Sequence, residues 1–233
     1  MPVYTRETLK SKKLPWVDID DYEFLYLARP GMTRAHSTPQ AEAAGHKAVW
    51  AEADAKRDPT EITITPTSPK ERIVVLVGEA HVEMAHGRVT LRRRDWLDIP
   101  PTGATIRNIS SSTVELVRIA GNWKQAIRTE IFRFRPEMPC DYHYHDGDEY
   151  WFVFRGNFTL NYDDREYQMR PGMMLAAGMG YEHGSLHPEQ HFEGVGFATQ
   201  LEGRGRDGHL LRELHGAPEK GREVPDWAME SPI

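Results

Sequence analysis

The stretch CDYHYHDGDEYWFVFRG, residues 140–156, decides how this chain is read. Residues two apart on an extended strand point to one side, so His143 and His145 share a face. The turn-forming Asp146-Gly147-Asp148 lets the chain reverse and bring Glu149 beside them from the next strand. A further imidazole, His183 in GMGYEHGS, lies 34 residues beyond Glu149, after a strand, a turn and another strand, a spacing that allows it to complete the cluster. Three neutral imidazoles and one carboxylate suit a divalent cation and leave up to two positions of an octahedral shell for water or substrate. The predicted metal ligands are His143, His145, Glu149 and His183.

Working outward, the texture around this stretch occurs twice. Glu71 is followed by six residues and Gly78 (ERIVVLVG), and Glu149 by six residues and Gly156 (EYWFVFRG), an offset of 78. Each glycine is followed by a strand, a turn and another strand, and short alternating runs separated by Gly, Pro and charged turns extend from Glu61 through Thr199. Such a pattern predicts two all-β units. Thr65 and Thr67 stand where the second copy has His143 and His145, so the repeat is structural in both halves and chemical in one.

The flanks read differently. Residues 1–59 are expected to form an N-terminal arm, with an extended run from Tyr22 to Ala28 and a short helix from about Pro39, capped by Thr38. The barrel segments are then 60–121 and 122–201, and residues 202–233 read as a tail with a short helix around His209 to Leu214.

With 233 residues, 39% hydrophobic, and 23 aromatic side chains, the chain can fold despite a mean hydropathy of −0.62. No apolar run approaches the roughly 18 residues that cross a bilayer, and the start lacks the apolar centre of a signal peptide, so a cytoplasmic protein with no membrane partner is expected. A net charge of −6 without a helix-turn-helix pattern argues against nucleic acid. A single cysteine, Cys140, excludes an internal disulfide and a multi-cysteine zinc site.

His143, His145, Glu149 and Gly156 together resemble the first motif of the cupin superfamily, and Pro171, Gly172 and His183 resemble the second. The proline usual before that histidine is replaced by Gly180-Tyr181-Glu182, and the downstream asparagine is absent. In the first copy Pro100-Pro101 and Asn108 echo the second motif without its histidine. The resemblance covers about residues 60 to 200 and implies an all-β double-stranded β-helix, or jelly roll: a bicupin with a degenerate N-terminal repeat and one live C-terminal site.

Alternation assigns the surroundings of that site. Tyr142, Tyr144 and Tyr150 are out of phase with the ligands and point away, while Trp151 and Val153 are in phase with Glu149. Burial favours Phe132, Phe134 and Tyr162 on the inward side as well, which gives an aromatic substrate pocket of Trp151, Val153, Phe132, Phe134 and Tyr162. Tyr181 and Glu182 are the candidates for moving a proton. The leading expectation is an enzyme that holds a small hydroxy-ketone, diketone or hydroxy-acid through two oxygens on a divalent metal, with Fe(II) and a dioxygenase reaction favoured. The apparent shortage of inward lysine or arginine argues against a phosphorylated sugar. The alternative is a redox-neutral isomerase, decarboxylase or lyase on Mn, Ni or Zn, and the third reading is a binding or sensor protein without turnover. A homodimer is expected.

Overall fold

Outer strands such as Phe158–Tyr162 bury every second side chain, whereas the central strands Lys70–Val77, Val114–Gly121, Gly147–Arg155 and Phe192–Leu201 are buried along nearly their whole length. The protein was analysed as a computed structural model, which describes residues 2–12, 14, 16–30, 59–186, 188 and 190–224. In chain order these form β1 (Val3–Thr5), α1 (Arg6–Ser11), β2 (Ile19–Leu27), β3 (Glu61–Ile64), β4 (Lys70–Val77), β5 (Glu79–Met84), β6 (Gly87–Arg92), β7 (Trp96–Asp98), β8 (Ala104–Asn108) and β9 (Val114–Gly121). The second half continues with β10 (Ala126–Phe134), β11 (Cys140–His143), β12 (Gly147–Arg155), β13 (Phe158–Tyr162), β14 (Arg165–Met169), β15 (Met173–Ala177), β16 (His183–Ser185), β17 (Phe192–Leu201) and α2 (Arg212–His215). No helix among the described residues is long and apolar enough to cross a membrane.

The chain divides into two compact units, Ile19–Asn122 and Met1–Asp18 with Trp123–Ile233. Each is a jelly roll of two antiparallel sheets. In the N-terminal unit the sheets run β2-β9-β4-β7 and β3-β8-β5-β6, and Ile73, Val75, Val82, Ile106 and Leu116 are buried between them. In the C-terminal unit they run β1-β15-β12-β17-β10 and β11-β16-β13-β14, around Trp151, Val153, Leu160, Tyr162, Leu175 and Phe192. The two topologies are the same strand for strand, apart from the extra edge strand β1.

The repeat holds down to register. Ile73 pairs with Arg118, and Trp151 pairs with Gly196, 78 residues on in both strands. The ladder slips between Val75 and Val77 in one copy and between Val153 and Arg155 in the other. Gly78 and Gly156, with φ of 83° and 72°, follow those slips, and a Cβ at either would collide with the carbonyl of Thr113 or His191. This is why glycine is needed six residues past each glutamate.

The expected flanks change. The run read as part of an arm is β2, whose buried Ile19, Tyr22 and Leu27 belong to a full sheet strand paired with β9. Residues 1–18 join the C-terminal unit instead, where Val3 pairs with Leu175 and completes the sheet edge. The helix anticipated from about Pro39 lies outside the described residues. Residues 202–224 are not a loose tail: Leu210 exchanges backbone hydrogen bonds with Tyr144, and Asp146 accepts from the Arg206 N–H, Nε and Nη2 at 2.9, 2.9 and 3.0 Å.

In the N-terminal unit Glu71 has the inward phase of Ile73 and Val75. Its side chain is wholly buried and meets Arg118 through Nη2 (2.6 Å) and Nε (2.7 Å), with further donation from the Thr67 and Ser68 N–H groups. Burial alone would raise this carboxyl, but the arginine and the backbone donors outweigh it and hold it below its ordinary value. The stabilisation is therefore present above the ordinary carboxylate range and is lost as pH falls toward the depressed native value. Arg118→Met should destabilise this unit by about 3 kcal/mol near neutrality, because it strands a buried carboxylate. Urea unfolding should show that deficit shrinking as the pH is lowered through the same range.

Candidate metal centre

β11 ends with His143, residues 144–146 carry the chain across to the other sheet, where Gly147 and Asp148 already belong to β12 instead of forming the expected turn, and β16 begins with His183 directly opposite His143. His143, His145, Glu149 and His183 converge at the inner end of these strands, with one ligand atom of each within 4.8 Å of all the others. All four are buried, between 0 and 7% exposed.

The Nδ1 of His143 lies 2.8 Å from the Asp141 carbonyl, that of His145 2.9 Å from the Gly208 carbonyl, and that of His183 2.9 Å from the Tyr181 carbonyl. A carbonyl only accepts, so each Nδ1 carries the proton and each Nε2 of a neutral ring turns a lone pair inward. Those lone pairs are crowded. His143 Nε2 and His145 Nε2 are 3.0 Å apart, and Glu149 Oε2 is 3.1 Å from both His145 Nε2 and His183 Nε2. Neighbouring ligand atoms around a six-coordinate cation with bonds of about 2.1 Å stand about 3.0 Å apart, so the four side chains fit such an ion. A proton on His145 can bridge to Glu149, but with both rings neutral in this tautomer the same carboxylate oxygen faces a second lone pair, on His183.

The titration of the cluster follows the same logic. Burial, reinforced by the neighbouring imidazoles His183, His145 and His209, pushes His143 far down. For His145 burial also acts downward, but the Glu149 charge and hydrogen bond outweigh it, and its value is raised. Burial would raise Glu149, yet His145 and His183 carry it well below the ordinary carboxylate range.

Two side chains restrain the carboxylate. Arg128 Nη2 donates to Glu149 Oε1 at 2.9 Å, and Trp151 Nε1 donates to Oε2 at 2.9 Å, so Oε2 alone is turned to the imidazoles. Arg128 runs against the expected shortage of inward lysine or arginine. It was signalled: the alternation that turns Phe132 and Phe134 inward reaches Arg128 when carried upstream on β10. The C-terminal segment, by contrast, gave no such signal. Besides Gly208 it supplies His209, whose ring stacks on His143 at 3.6 Å between centroids and 5° between planes, and whose Nδ1 donates to Asp141 at 2.8 Å.

The remaining expected residues divide. Trp151 lies 5.5 Å from the His183 ring and 5.0 Å from Phe132, and Phe132 and Phe134 are half-buried along β10. Val153 and Tyr162 are packed in the core, Tyr162 with its ring 6.4 Å from His183. The out-of-phase tyrosines do point elsewhere: Tyr150 accepts from the Asp18 N–H, Tyr142 from the Asp164 N–H, and Tyr144 donates to the Gly216 carbonyl. Tyr181 and Glu182 do not present themselves as proton carriers. The Tyr181 hydroxyl donates to the Arg222 carbonyl and accepts from the Val224 N–H, while Glu182 is ion-paired with Arg212. Both groups are occupied by the C-terminal segment.

Fold and site together define a jelly-roll protein with a candidate metal centre of three histidines and one glutamate. Residues 131–190, in the C-terminal barrel, match the family described as the cupin domain, and the N-terminal barrel repeats the same strand topology. The chain is 28% identical over 172 residues to an uncharacterized protein of Sinorhizobium fredii, across 66% of this chain and 80% of that protein. Among solved structures it is similar to AerE from Microcystis aeruginosa, with a TM-score of 0.47, 14% identity, and coverage of 60% of this chain and 82% of that one. It is also similar to the oxalate decarboxylase formate complex of Lactobacillus farciminis, with a TM-score of 0.48, 9% identity, and coverage of 61% and 76%.

Two outcomes are expected at this site. His145→Ala should lower bound divalent metal about tenfold or more while the fold persists, as read by metal analysis beside circular dichroism. Metal affinity should also fall with falling pH, about tenfold per unit once His145 is protonated, because binding displaces that proton. Calorimetric titration with Zn(II) across pH 5.5–8 checks this slope.

Proposed function

We propose that this protein is a metal-dependent enzyme acting on a small organic substrate that chelates through oxygen, with Fe(II)-dependent dioxygenase chemistry as the leading reading. The observation that carries it is the inward convergence of three Nε2 lone pairs and one carboxylate oxygen, spaced as ligands of a single cation and buried beside an aromatic wall. His143, His145, Glu149 and His183 would hold the ion, which when bound supplies a Lewis-acidic and, as iron, redox-active centre. The chain's own contributions are more specific. The three Nδ1–H bonds fix ring tautomer and orientation, so the site is organised before substrate arrives. Arg128 and Trp151 hold Glu149 with one oxygen toward the imidazoles, which preserves room for a two-oxygen substrate. Phe132, Phe134 and Trp151 present apolar surface that accepts a carbon skeleton and displaces water around it.

Arg128 also favours a second reading, a redox-neutral decarboxylase, isomerase or lyase, because a guanidinium beside the cluster can steady the negative charge that develops when a proton or carboxyl group leaves. Anaerobic reconstitution with Fe(II), followed by oxygen-electrode screening against hydroxy-ketones, diketones, hydroxy-acids and oxo-acids, separates the two. The dioxygenase reading requires substrate-dependent oxygen uptake that is lost when Zn(II) replaces Fe(II). Product formation under nitrogen with Zn(II), Mn(II) or Ni(II) would replace it with the redox-neutral reading, and a ligand retained unchanged with every metal would refute turnover altogether.

A further inference from the structure

The ligands come from β11, β12 and β16 and the loop joining the first two, which leaves the inner face of β10 as a wall of the C-terminal barrel that donates nothing to the cluster. On that face Arg128, Glu130, Phe132 and Phe134 stand in one phase, every second residue along the strand. The face is accessible: Glu130 is 54% exposed, and Arg128, Phe132 and Phe134 are all partly open to solvent. Glycine at two positions of β17 lets the Phe132 ring lie flat along this wall. A Cβ at Gly194 would collide with the Phe132 ring, and one at Gly196 would lie 3.6 Å from that ring and 3.9 Å from Glu149 Oε1.

Within this wall the guanidinium of Arg128 is incompletely used. One nitrogen, Nη2, holds Glu149 Oε1, and the buried Nε has no hydrogen-bond partner among the described residues. Glu130 Oε1 lies 3.5 Å from Nε, near enough for charge attraction but without hydrogen-bond geometry. A buried donor on a charged group is costly to leave unpaired, whereas a guanidinium offers a planar array of donors that a carboxylate can take up. A carboxylate arriving at this wall would meet an under-used guanidinium, with phenyl rings along the same face. A neutral diketone could use the cluster and the rings but would leave the arginine donor unmet.

Resting on the metal-dependent reading above, we propose that Arg128 is the residue that recognises the substrate's charge, and that the substrate is a small carboxylic acid whose carboxylate pairs with this guanidinium while its apolar part lies against Phe132 and Phe134. The proposal narrows the hydroxy-ketones, diketones and acids that the cluster alone admits to the acids.

The test uses the full chain loaded with Zn(II), so that no turnover obscures binding, and two probes of matching skeleton: phenylpyruvate, a keto-acid, and 1-phenylpropane-1,2-dione, a neutral diketone. Calorimetry on wild type should give at least about tenfold tighter binding of the acid. Arg128→Met should weaken the acid by about 30-fold and the diketone by less than about threefold, and Arg128→Lys, which keeps the charge without the fork, should fall between. Zinc content is measured on every sample. Equal binding of the two probes by wild type, no binding of the acid, or parallel loss of both in Arg128→Met with zinc retained would overturn the proposal; the last would leave Arg128 as a restraint on Glu149 only. Wild type that takes up no zinc would remove the metal reading itself, and the present inference with it, a failure that the metal analysis distinguishes from the others.

Discussion

Three hydrogen bonds from imidazole Nδ1–H groups to backbone carbonyls constrain everything that happens at the centre of the C-terminal barrel. They settle which ring nitrogen faces inward, and so turn a cluster of buried histidines into a set of convergent lone pairs. Protein-only packing would not favour that arrangement. Lone pairs 3.0 Å apart repel, a buried carboxylate is costly, and a single proton relieves only part of the conflict. The same groups become mutually supportive around a cation. Organisation for a charge is thus built into the backbone rather than into the flexible ends of side chains.

The three bonds are not equivalent in origin. His143 and His183 each donate to the carbonyl two residues earlier, so the strand that carries the ring also aims it. His145 instead relies on Gly208, more than sixty residues away, and on the way the C-terminal segment is fastened at Asp146 by Arg206 and at Tyr144 by Leu210. The segment after β17 is therefore part of the centre. Its conformation sets the orientation of one ring directly, and through the stacked His209 it covers a second. Loss of order there would be felt as loss of ligand geometry, without any change in the four ligating residues.

How far this was legible in the sequence depends on whether a residue's role is local. His143, His145 and Glu149 are brought together by alternation and a short crossing between the sheets, and their closeness is written in the sequence spacing even though the expected turn is not. His183 and the strand repeat could be reached through spacing. Arg128 was available by the alternation applied to Phe132 and Phe134, but a basic residue on a half-open edge strand looks like ordinary surface. Gly208 and His209 were not available: a carbonyl has no side-chain signature, and a glycine- and arginine-rich stretch reads as linker until tertiary contacts define it. The same limit misplaced β1 and β2, because which edge strand joins which sheet is decided by long-range pairing and not by local pattern. Tyr181 and Glu182 failed for a related reason, since nearness in sequence to His183 says nothing of the Arg222, Val224 and Arg212 groups that engage them.

Comparison of the two barrels carries the argument one step further. Both place a glutamate at the same inward position, Glu71 and Glu149, on strands of the same register with the same slip. In both, this buried carboxylate demands a positive partner, and the difference lies in where that partner comes from. Arg118 in the N-terminal barrel grips Glu71 with two nitrogens, and Thr67 adds a donor where the other copy has a histidine. In the C-terminal barrel the position corresponding to Arg118 is Gly196, which removes that built-in cation and leaves space against Glu149. Arg128 reaches the same carboxylate from the next strand, but with only one nitrogen and on the oxygen turned away from the imidazoles. One barrel satisfies its glutamate from within. The other satisfies it in part, and the unsatisfied remainder, a carboxylate oxygen facing three imidazole lone pairs, is what makes room for an ion from outside.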